Sequence, residues 1–180
     1  SLNPGRIWPA NSAFFDSRKP IIAQFVFNGQ DIYIIGNHFN SKGEDGPLYG
    51  DQQPPQLLSE RQRIAQAIAV NGFVRDILDI NPKALIVVAG DLNDFPWSKS
   101  LKTLEGGLLE NLLFTLPENQ RFTYMYEGNG QVLDHILASK ALAPRLLRLE
   151  ILHINSLSLP RMASSDHDPV VAIFDLSALE

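Results

Sequence analysis

The chain has 180 residues, of which 44% are hydrophobic and 19% are charged, which is the composition of one folded domain and excludes intrinsic disorder as its main state. It contains no cysteine, so disulfides, a thiol nucleophile, zinc-thiolate sites and iron-sulfur clusters are excluded. The net charge of -5 argues against nucleic-acid binding through a broad basic surface, although carboxylates that hold a cation are counted in the same sum.

The first third of the chain predicts an irregular start, a hairpin and a loop. Residues 1–17 are rich in Asn, Pro and Ser and predict a linker or irregular segment. Residues 20–27 and 31–35 are apolar runs on either side of an Asn-Gly dipeptide, which indicates a β-hairpin. Residues 43–55 contain three glycines and three prolines and predict an irregular surface loop. No apolar run reaches the ~18–20 residues of a membrane helix, so no membrane span is predicted.

One long helix is predicted in the middle of the chain. Ser59 and Gln62 match the S-x-x-Q pattern of a capping box, and apolar residues then recur at helical spacing as far as Leu78. An Asn-Pro pair at positions 81–82 predicts the end of this helix. A second, short helix is predicted over residues 98–104, closed by two glycines.

The remaining apolar runs predict strands. Residues 85–89 form a short continuous apolar run, which is typical of a strand buried on both faces. Further strands are predicted over residues 122–126 and 131–137, which would pair around a Gly-Asn-Gly turn, and over residues 146–154 and 170–174. Strands paired by hairpins, with a helix between two of them, predict an α/β fold with a mixed, largely antiparallel sheet and flanking helices.

Side chains able to act in catalysis or metal binding lie at the ends of four predicted strands. Aspartate is a poor strand former, so an aspartate inside or at the end of an apolar strand needs a partner such as a metal or a histidine. The four groups can share one edge of the sheet if the last strand runs antiparallel to the others. They are His38, the pair Asp91 and Asn93, Asp134, and the pair Asp166 and His167.

The chemistry that suits these side chains together is metal-assisted hydrolysis of a phosphate ester. Asp and Asn oxygens are ligands for Mg²⁺, Mn²⁺ or Ca²⁺, and such a cation offsets charge that develops on the phosphoryl oxygens. A histidine paired with a buried aspartate is held in one tautomer and can bind or protonate a phosphoryl oxygen. Taken singly, each group also has an ordinary structural explanation, such as a turn at Gly-Asp-x-Asn or a histidine bonded to the backbone.

Four segments carry a resemblance to a known family. They are Asn37-His38-Phe39-Asn40-Ser41-Lys42-Gly43, Gly90-Asp91-Leu92-Asn93, Leu133-Asp134-His135-Ile136-Leu137 and Ser165-Asp166-His167-Asp168-Pro169-Val170. In this order they resemble the C-terminal half of the endonuclease/exonuclease/phosphatase superfamily, which implies part of a deoxyribonuclease I-like, four-layer α/β sandwich. A likeness of residues 18–20, 53–55 and 122–135 to a bacterial subgroup of large, often secreted nucleases implies an extracellular or periplasmic location.

The resemblance implies catalytic roles for five residues. His38 would contact the scissile phosphate and could act as an acid, and Asp91 would position or deprotonate the attacking water. Asn93 would hold a phosphate oxygen or help to bind a second metal. Asp134 would orient His167, which would stabilise the phosphoryl oxygen.

The resemblance also implies a site for Mg²⁺ or Mn²⁺, or for Ca²⁺. Its ligands would be Asp166, Asp91 and Asn93, and Lys42 is a candidate phosphate contact. Three neighbouring residues are left outside the predicted site: Asp94, His135 and Asp168.

The superfamily's N-terminal half supplies a strand-end asparagine and a glutamate that is its principal metal ligand, and no segment before Arg18 can provide them. Residues 18–176 are therefore expected to be a partial domain that lacks its N-terminal half, with residues 177–180 as a tail. We expect a fragment of a larger protein with weak or no activity of its own. One sheet face would be uncovered, which predicts a homodimer or other self-association.

The leading hypothesis is a divalent-metal-dependent phosphodiesterase, foremost a nuclease acting on nucleic acid by in-line attack of an activated water. Alternatives within the superfamily are a phosphomonoesterase and a phospholipid headgroup hydrolase. A non-catalytic binding module that retains the fold is the alternative from another class. Trp97, Tyr124 and Tyr126 could stack on bases, although aromatic residues in strands more often belong to a core.

Overall fold

The computed structural model describes residues 3–47, 50–159 and 161–177. These residues form ten strands, two α-helices and four short 3-10 helices. The α-helices are α1 (Glu60–Ile80) and α2 (Lys99–Glu105). The 3-10 helices lie at Ser12–Phe14, Leu112–Thr115, Glu118–Gln120 and Ala143–Arg145. The strands are β1 (Gly5–Arg6), β2 (Ile21–Phe27), β3 (Gln30–His38), β4 (Leu85–Asp91), β5 (Leu109–Asn111), β6 (Tyr124–Tyr126), β7 (Asn129–Gln131), β8 (Asp134–Ser139), β9 (Leu146–Ile151) and β10 (Val170–Phe174).

Six strands form the main sheet, in the order β1-β2-β3-β4-β8-β5. Neighbours pair antiparallel except β3 and β4, which are parallel and are connected through α1. The hairpin of β2 and β3 turns at Asn28 and Gly29, both with positive φ, as predicted for an Asn-Gly turn. The mixed, largely antiparallel sheet with flanking helices is therefore confirmed.

Both α-helices pack on one face of the main sheet. Val70 and Val74 of α1 are completely buried in one apolar cluster with Ile35 of β3 and Val88 of β4. Leu85 of β4 belongs to a second cluster, which lies on the other face. The central strand β4 is therefore buried on both faces, as its continuous apolar run predicts.

The start of α1 differs from the sequence prediction. Ser59 precedes the helix, but its φ and ψ of -78° and -19° are helical and its hydroxyl makes no capping hydrogen bond. The hydroxyl donates instead to Asp45 Oδ1, 2.6 Å away, and accepts from Arg63 Nη1. The capping box predicted for Ser59 and Gln62 is wrong, because a buried cluster of charged groups engages the serine. Asn81 ends α1 as predicted.

Residues 3–17 are largely irregular, but they pack on the domain. β1 pairs with β2, and Ile7 and Phe14 are each only 1% exposed in the same apolar cluster as α1. Burying these two large side chains removes apolar surface from water, which ties the segment to the domain. The first two residues of the expected linker lie outside the described residues, and the described part is irregular without being detached.

The strand predicted over residues 131–137 is divided in the structure. β6 and β7 form a two-stranded hairpin of their own, whereas β8 pairs with β4 and β5 in the main sheet. The division occurs beside Thr123, whose completely buried side chain accepts hydrogen bonds from the backbone N–H groups of Leu133 and Asp134, both at 3.2 Å. These bonds satisfy backbone donors at the point where the chain leaves the hairpin for the main sheet.

β9 and β10 form a separate antiparallel pair that packs on the face of the main sheet opposite the helices. β9 ends at Ile151 and not at the predicted residue 154. Beyond it, the backbone N–H groups of Asn155 and Ser156 donate to Asp168 Oδ1 at 2.9 and 3.0 Å. The chain therefore turns around this carboxylate instead of continuing the strand.

Part of the face that carries β9 and β10 is exposed at β2 and β3. Four large apolar side chains on this face have 40–55% of their surface exposed, and we call them the β2–β3 patch: Ile21, Phe25, Phe27 and Ile34. Within the described ranges, neither helix combines the length and the apolar character needed to cross a membrane.

Candidate active site

Three residues at strand ends lie side by side across the main sheet. In the pairing register, His38 of β3 stands opposite Asp91 of β4, and Asp91 stands opposite Asp134 of β8. Directly paired residues project from the same face of a sheet. A fourth residue, His167, precedes β10 and reaches this edge because an isolated β-bridge joins it to Tyr124. The structure therefore brings together residues from four separate parts of the chain.

Asp134 and His167 form a close pair. His167 Nδ1 lies 2.6 Å from Asp134 Oδ2. The hydrogen bond with Asp134 raises the pKa of His167, burial opposes this, and the negative charges of Asp134 and Asp91 raise it further. Because an ionised carboxylate can only accept, Nδ1 carries the proton and the imidazole is held in one tautomer. His167 is therefore a histidine whose protonated form is favoured.

His38 and Asp91 form a looser pair with the opposite electrostatic character. His38 Nε2 lies 3.4 Å from Asp91 Oδ2. Burial lowers the pKa of His38, the charge of Asp91 partly reverses this, and the positive charge of Arg18 lowers it again. Burial and the negative charge of Asp134 raise the pKa of Asp91. A neutral imidazole beside a carboxylate of increased proton affinity is suited to proton transfer.

Asn93 is held against Asp91 by a tight turn. Its backbone N–H donates to Asp91 Oδ1 at 2.9 Å, and its side-chain Nδ2 donates to Asp91 Oδ2 at 3.1 Å. The same amide donates to the Phe39 carbonyl at 3.2 Å, which ties the turn to the loop after β3. The turn requires Gly90, whose φ is +133° and where a Cβ would lie 2.0 Å from the Asn37 carbonyl oxygen. The Gly-Asp-x-Asn motif thus needs its glycine for backbone geometry.

Asp91, Asp134 and His167 can together hold a metal ion. Each offers one ligand atom, and the three atoms lie within 4.8 Å of one another. Carboxylates directly opposite each other on neighbouring strands repel, and a cation between them removes that repulsion. Carboxylate oxygens suit Mg²⁺ and Mn²⁺, and an imidazole nitrogen suits the transition metal. The donor set therefore fits a divalent cation.

The predicted metal ligands lie only partly in this cluster. Asp91 belongs to it, and Asn93 is hydrogen-bonded to Asp91. Asp166 is exposed and is not a member of the three-residue cluster. Its negative charge nevertheless adds to the effect of burial in raising the pKa of Tyr124, which contacts His167. Asp166 therefore lies at the rim of the site.

Lys42 is engaged in an ion-pair network. Its Nζ lies 3.1 Å from Asp94 Oδ1 and 3.8 Å from Asp45 Oδ2. The completely buried Arg63 binds the same two carboxylates, each at 2.9 Å. Burial raises the pKa of Asp94, but Lys42, Arg63 and a hydrogen bond from Ser100 outweigh it and hold that pKa below its ordinary value. The ammonium of Lys42 is paired within the chain, which argues against the predicted phosphate contact.

The residues left outside the predicted site have other partners. His135 is 1% exposed, with Nε2 2.9 Å from the Asp94 carbonyl oxygen and Nδ1 3.0 Å from Asn111 Nδ2. Burial lowers the pKa of His135 to about 4. Asp168 Oδ2 lies 3.0 Å from His153 Nδ1. These side chains stabilise the loops around the site, and Asp94 does so through the network of Lys42.

Arg18 is a site residue to which the sequence motifs assigned no role. It is exposed, it lines an open cavity with Lys19 and Asn40, and its charge adds to burial in lowering the pKa of His38. Its guanidinium offers donors that suit a phosphate oxygen. The sequence signal available for Arg18 was the Arg18-Lys19 pair just before β2. That this pair lies on the side of His38 follows only from the pairing of β2 with β3.

Comparison with known proteins identifies the family. The sequence model of the Endonuclease/Exonuclease/phosphatase family matches residues 5–150 of this chain. No curated protein sequence matches the chain.

Several solved structures share the fold. Truncated TDP2 from Caenorhabditis elegans has a TM-score of 0.66 and 19% sequence identity, over 94% of this chain and 64% of that one. TDP2 from D. rerio, in complex with a single strand DNA product, has a TM-score of 0.64 and 18% identity, over 97% and 67% of the two chains. The mannosyl-6-phosphatase Bt3783 of Bacteroides thetaiotaomicron has a TM-score of 0.58 and 17% identity, over 87% and 58%.

The chain thus spans less than two thirds of the length of the C. elegans and Bacteroides proteins. At these identities the structural likeness shows a shared fold alone, whereas the family match extends over most of the sequence. The chain belongs to the endonuclease/exonuclease/phosphatase family, whose members are phosphoesterases and generally depend on a divalent metal.

Proposed function

We propose that this domain carries the catalytic site of a divalent-metal-dependent phosphodiesterase, and that the enzyme is a nuclease. The observation that supports this best is the row formed by His38, Asp91 and Asp134 on three adjacent strands, completed by His167 hydrogen-bonded to Asp134. The row combines a neutral histidine, a carboxylate of raised proton affinity and a histidine whose protonation is favoured. These are the groups needed to activate a water and to stabilise a phosphoryl group.

In the proposed reaction a water attacks phosphorus in line with the leaving oxygen. Asp91 accepts a proton from this water as the new P–O bond forms, and Asn93 holds Asp91 in position. His167, protonated beside Asp134, stabilises the negative charge on a phosphoryl oxygen. The P–O bond to the leaving group then breaks, and the leaving oxygen takes up a proton.

His38 is the proposed source of that proton. Its pKa is lowered in the free protein, but a bound phosphate diester brings a negative charge that favours the imidazolium. Arg18 binds a second oxygen of the same phosphate. When bound, a divalent cation would supply Lewis-acid stabilisation of the phosphoryl oxygens. Asp91 and Asp134 of the three-residue cluster would hold it, with Asn93 beside Asp91 and Asp166 at the rim, while His167 acts on the phosphate in its protonated form.

Nucleic acid is the proposed substrate, and two observations on similar structures bear on it. The D. rerio TDP2 structure holds a single strand DNA product, which supports a nucleic-acid phosphodiester. The Bacteroides mannosyl-6-phosphatase supports the alternative of a phosphomonoester. The phospholipid headgroup and the non-catalytic binding module remain alternatives, and the location outside the cytoplasm remains a proposal from the subgroup resemblance.

We expect weak or no hydrolysis by the 180-residue chain alone, because a partial domain would lack the ligands that the family's N-terminal half supplies. Among the described residues, the candidate metal cluster contains two carboxylates and one histidine and no glutamate. Self-association is proposed for the same chain, since the β2–β3 patch exposes four large apolar side chains. Light scattering that gives the mass of a monomer at all concentrations would count against self-association.

The function is tested by hydrolysis of bis-p-nitrophenyl phosphate and of plasmid DNA with Mg²⁺, Mn²⁺ or EDTA, in the longest available form of the protein. Asp91→Ala and His167→Ala are expected to reduce the rate at least ~100-fold. Asp79→Ala, an exposed carboxylate on α1, is the matched control and should leave the rate unchanged. Activity in EDTA, or activity that both active-site variants retain, would refute the mechanism. Hydrolysis of p-nitrophenyl phosphate alone would favour the phosphomonoesterase.

A further inference from the structure

Trp97 is an aromatic residue that the proposed chemistry does not use. It lies in the loop between β4 and α2, four residues after Asn93, and 73% of its surface is exposed. Aromatic residues of this region could have belonged to a core, but this degree of exposure excludes that explanation for Trp97. The exposed ring is therefore available for contact with a ligand.

The ring of Trp97 is held in a defined orientation. It stacks on Phe95 with the ring centroids 5.0 Å apart and the planes 8° from parallel. The ammonium of Lys42 lies 4.8 Å from the centroid of the Phe95 ring. The aromatic pair is therefore a preformed platform, and binding a flat ligand on it costs little ordering of the side chain.

The loop that carries this platform is fixed at both ends. The Phe95 N–H donates to Asp94 Oδ1 at 3.0 Å, and Asp94 is itself bound by the buried Arg63. At the other end, the Ser98 N–H donates to the Phe95 carbonyl at 2.9 Å. The Cα atoms of Asn93 and Trp97 can be at most ~14 Å apart, since the two residues are four positions apart in the chain. The platform is therefore close to the site of hydrolysis and rigidly connected to it.

We propose that Trp97 is a base-stacking residue that binds a nucleotide of single-stranded nucleic acid next to the phosphate bound by His167 and Arg18. The proposal rests on the nuclease function and names its substrate more closely. A base in a duplex is already stacked on both faces, so an exposed ring suits an unpaired base. Lys99, exposed two residues beyond Trp97, offers a positive charge for the adjoining backbone phosphate.

The chain contains two tryptophans, which gives the test its reporter. Trp8 is 40% exposed and meets Phe73 edge-on, and Trp8→Phe leaves Trp97 as the single tryptophan, whose fluorescence can be excited selectively. We expect a 12-nucleotide oligothymidylate to quench this fluorescence in EDTA, where no hydrolysis occurs. Adding Trp97→Leu should weaken binding of the labelled oligonucleotide, measured by anisotropy, by roughly 5- to 100-fold. Circular dichroism checks that both variants are folded.

Each outcome decides the proposal. Quenching by the oligonucleotide and loss of affinity in Trp97→Leu support it. Absent binding, equal binding by Trp97→Leu, tighter binding of the matched duplex, or quenching by mannose 6-phosphate in place of the oligonucleotide would overturn it. Hydrolysis of bis-p-nitrophenyl phosphate, which does not require a base, is measured in parallel in the longest available form of the protein. If that hydrolysis persists while the oligonucleotide does not bind, the stacking role is refuted and the phosphodiesterase function stands. If the oligonucleotide binds through Trp97 while no hydrolysis occurs, the stacking role stands and the phosphodiesterase function is refuted.

Discussion

Asp91 and Asp134 stand directly opposite each other on the antiparallel strands β4 and β8. Like charges in this position destabilise a sheet, and here the negative charge of Asp134 adds to burial in raising the pKa of Asp91. The imidazole of His167 lies on the Asp134 side of this pair. The two opposed carboxylates therefore destabilise the metal-free domain, and the same two carboxylates form the candidate site for a cation.

Asp91→Asn is expected to stabilise the metal-free domain and to abolish hydrolysis. Removing one of the two opposed charges should raise the unfolding free energy by ~0.5–1 kcal/mol at neutral pH, measured by urea denaturation in EDTA. The gain should disappear at acidic pH, because the raised pKa means that Asp91 of the wild type becomes protonated there first. Asp79→Asn, on the exposed face of α1, is the control; equal effects of the two variants would contradict the proposed repulsion.

Asp134→Asn is expected to lower the pKa of His167. The hydrogen bond with the carboxylate is the largest cause of its raised value, and burial alone would then lower it. The measurement is an NMR titration of the imidazole signals in EDTA, with His153 beside Asp168 as an internal control.

The same pair predicts a pH dependence of stability. Because the pKa of His167 is higher in the folded than in the unfolded state, the pair stabilises the fold fully below about pH 6.5 and this contribution is lost as the pH rises through the folded-state pKa. In Asp134→Asn that decrease should be absent. A variant with the wild-type pH profile would show that the hydrogen bond does not set the pKa.

Arg63→Ala should be strongly destabilising. The guanidinium is completely buried and binds both Asp45 and Asp94, so its removal takes a hydrogen-bonded partner from both carboxylates. A loss of ~3–5 kcal/mol is expected from urea denaturation. Arg75→Ala on the exposed part of α1 should change stability by less than about 0.5 kcal/mol. A small effect at Arg63 would mean that Lys42 alone compensates the two carboxylates.

Gly90→Ala should destabilise the domain by at least ~3 kcal/mol. Its φ of +133° is unfavourable for other residues, and the added Cβ would lie 2.0 Å from the Asn37 carbonyl oxygen. Gly107→Ala is the matched control, because its φ is +71° but no atom lies within 4 Å of the added Cβ. That variant should lose only ~1–2 kcal/mol, the cost of the backbone conformation. Equal losses would exclude the steric explanation.

The sequence predicted most of the elements, and it predicted them where the signal is local. The Asn-Gly hairpin, the helix end at Asn81 and the doubly buried β4 were all confirmed. The capping box at Ser59 failed because the same hydroxyl bonds to Asp45, fourteen residues away, and to Arg63. The contact with Asp45 cannot be predicted from the spacing of residues at the start of the helix.

The division between β7 and β8 has a similar cause. The apolar run over residues 131–137 is compatible with one strand, but Thr123 binds the backbone at Leu133 and Asp134, and β8 then pairs with β4. A run of apolar residues specifies that a segment is buried, and it does not specify which strand becomes its neighbour.

For the site, the sequence by itself determined which reactive side chains stand at strand ends, because alternation and apolar runs locate those ends. Only the tertiary structure decided that Asp134 and His167, 33 positions apart, share a hydrogen bond, that Lys42 is paired with Asp94 and that Arg18 acts on His38. The physical reason is that the strand pattern depends on neighbours along the chain, whereas hydrogen bonds and ion pairs depend on the distance between groups in space. The partners of a charged group are therefore set by how strands pair and how loops cross.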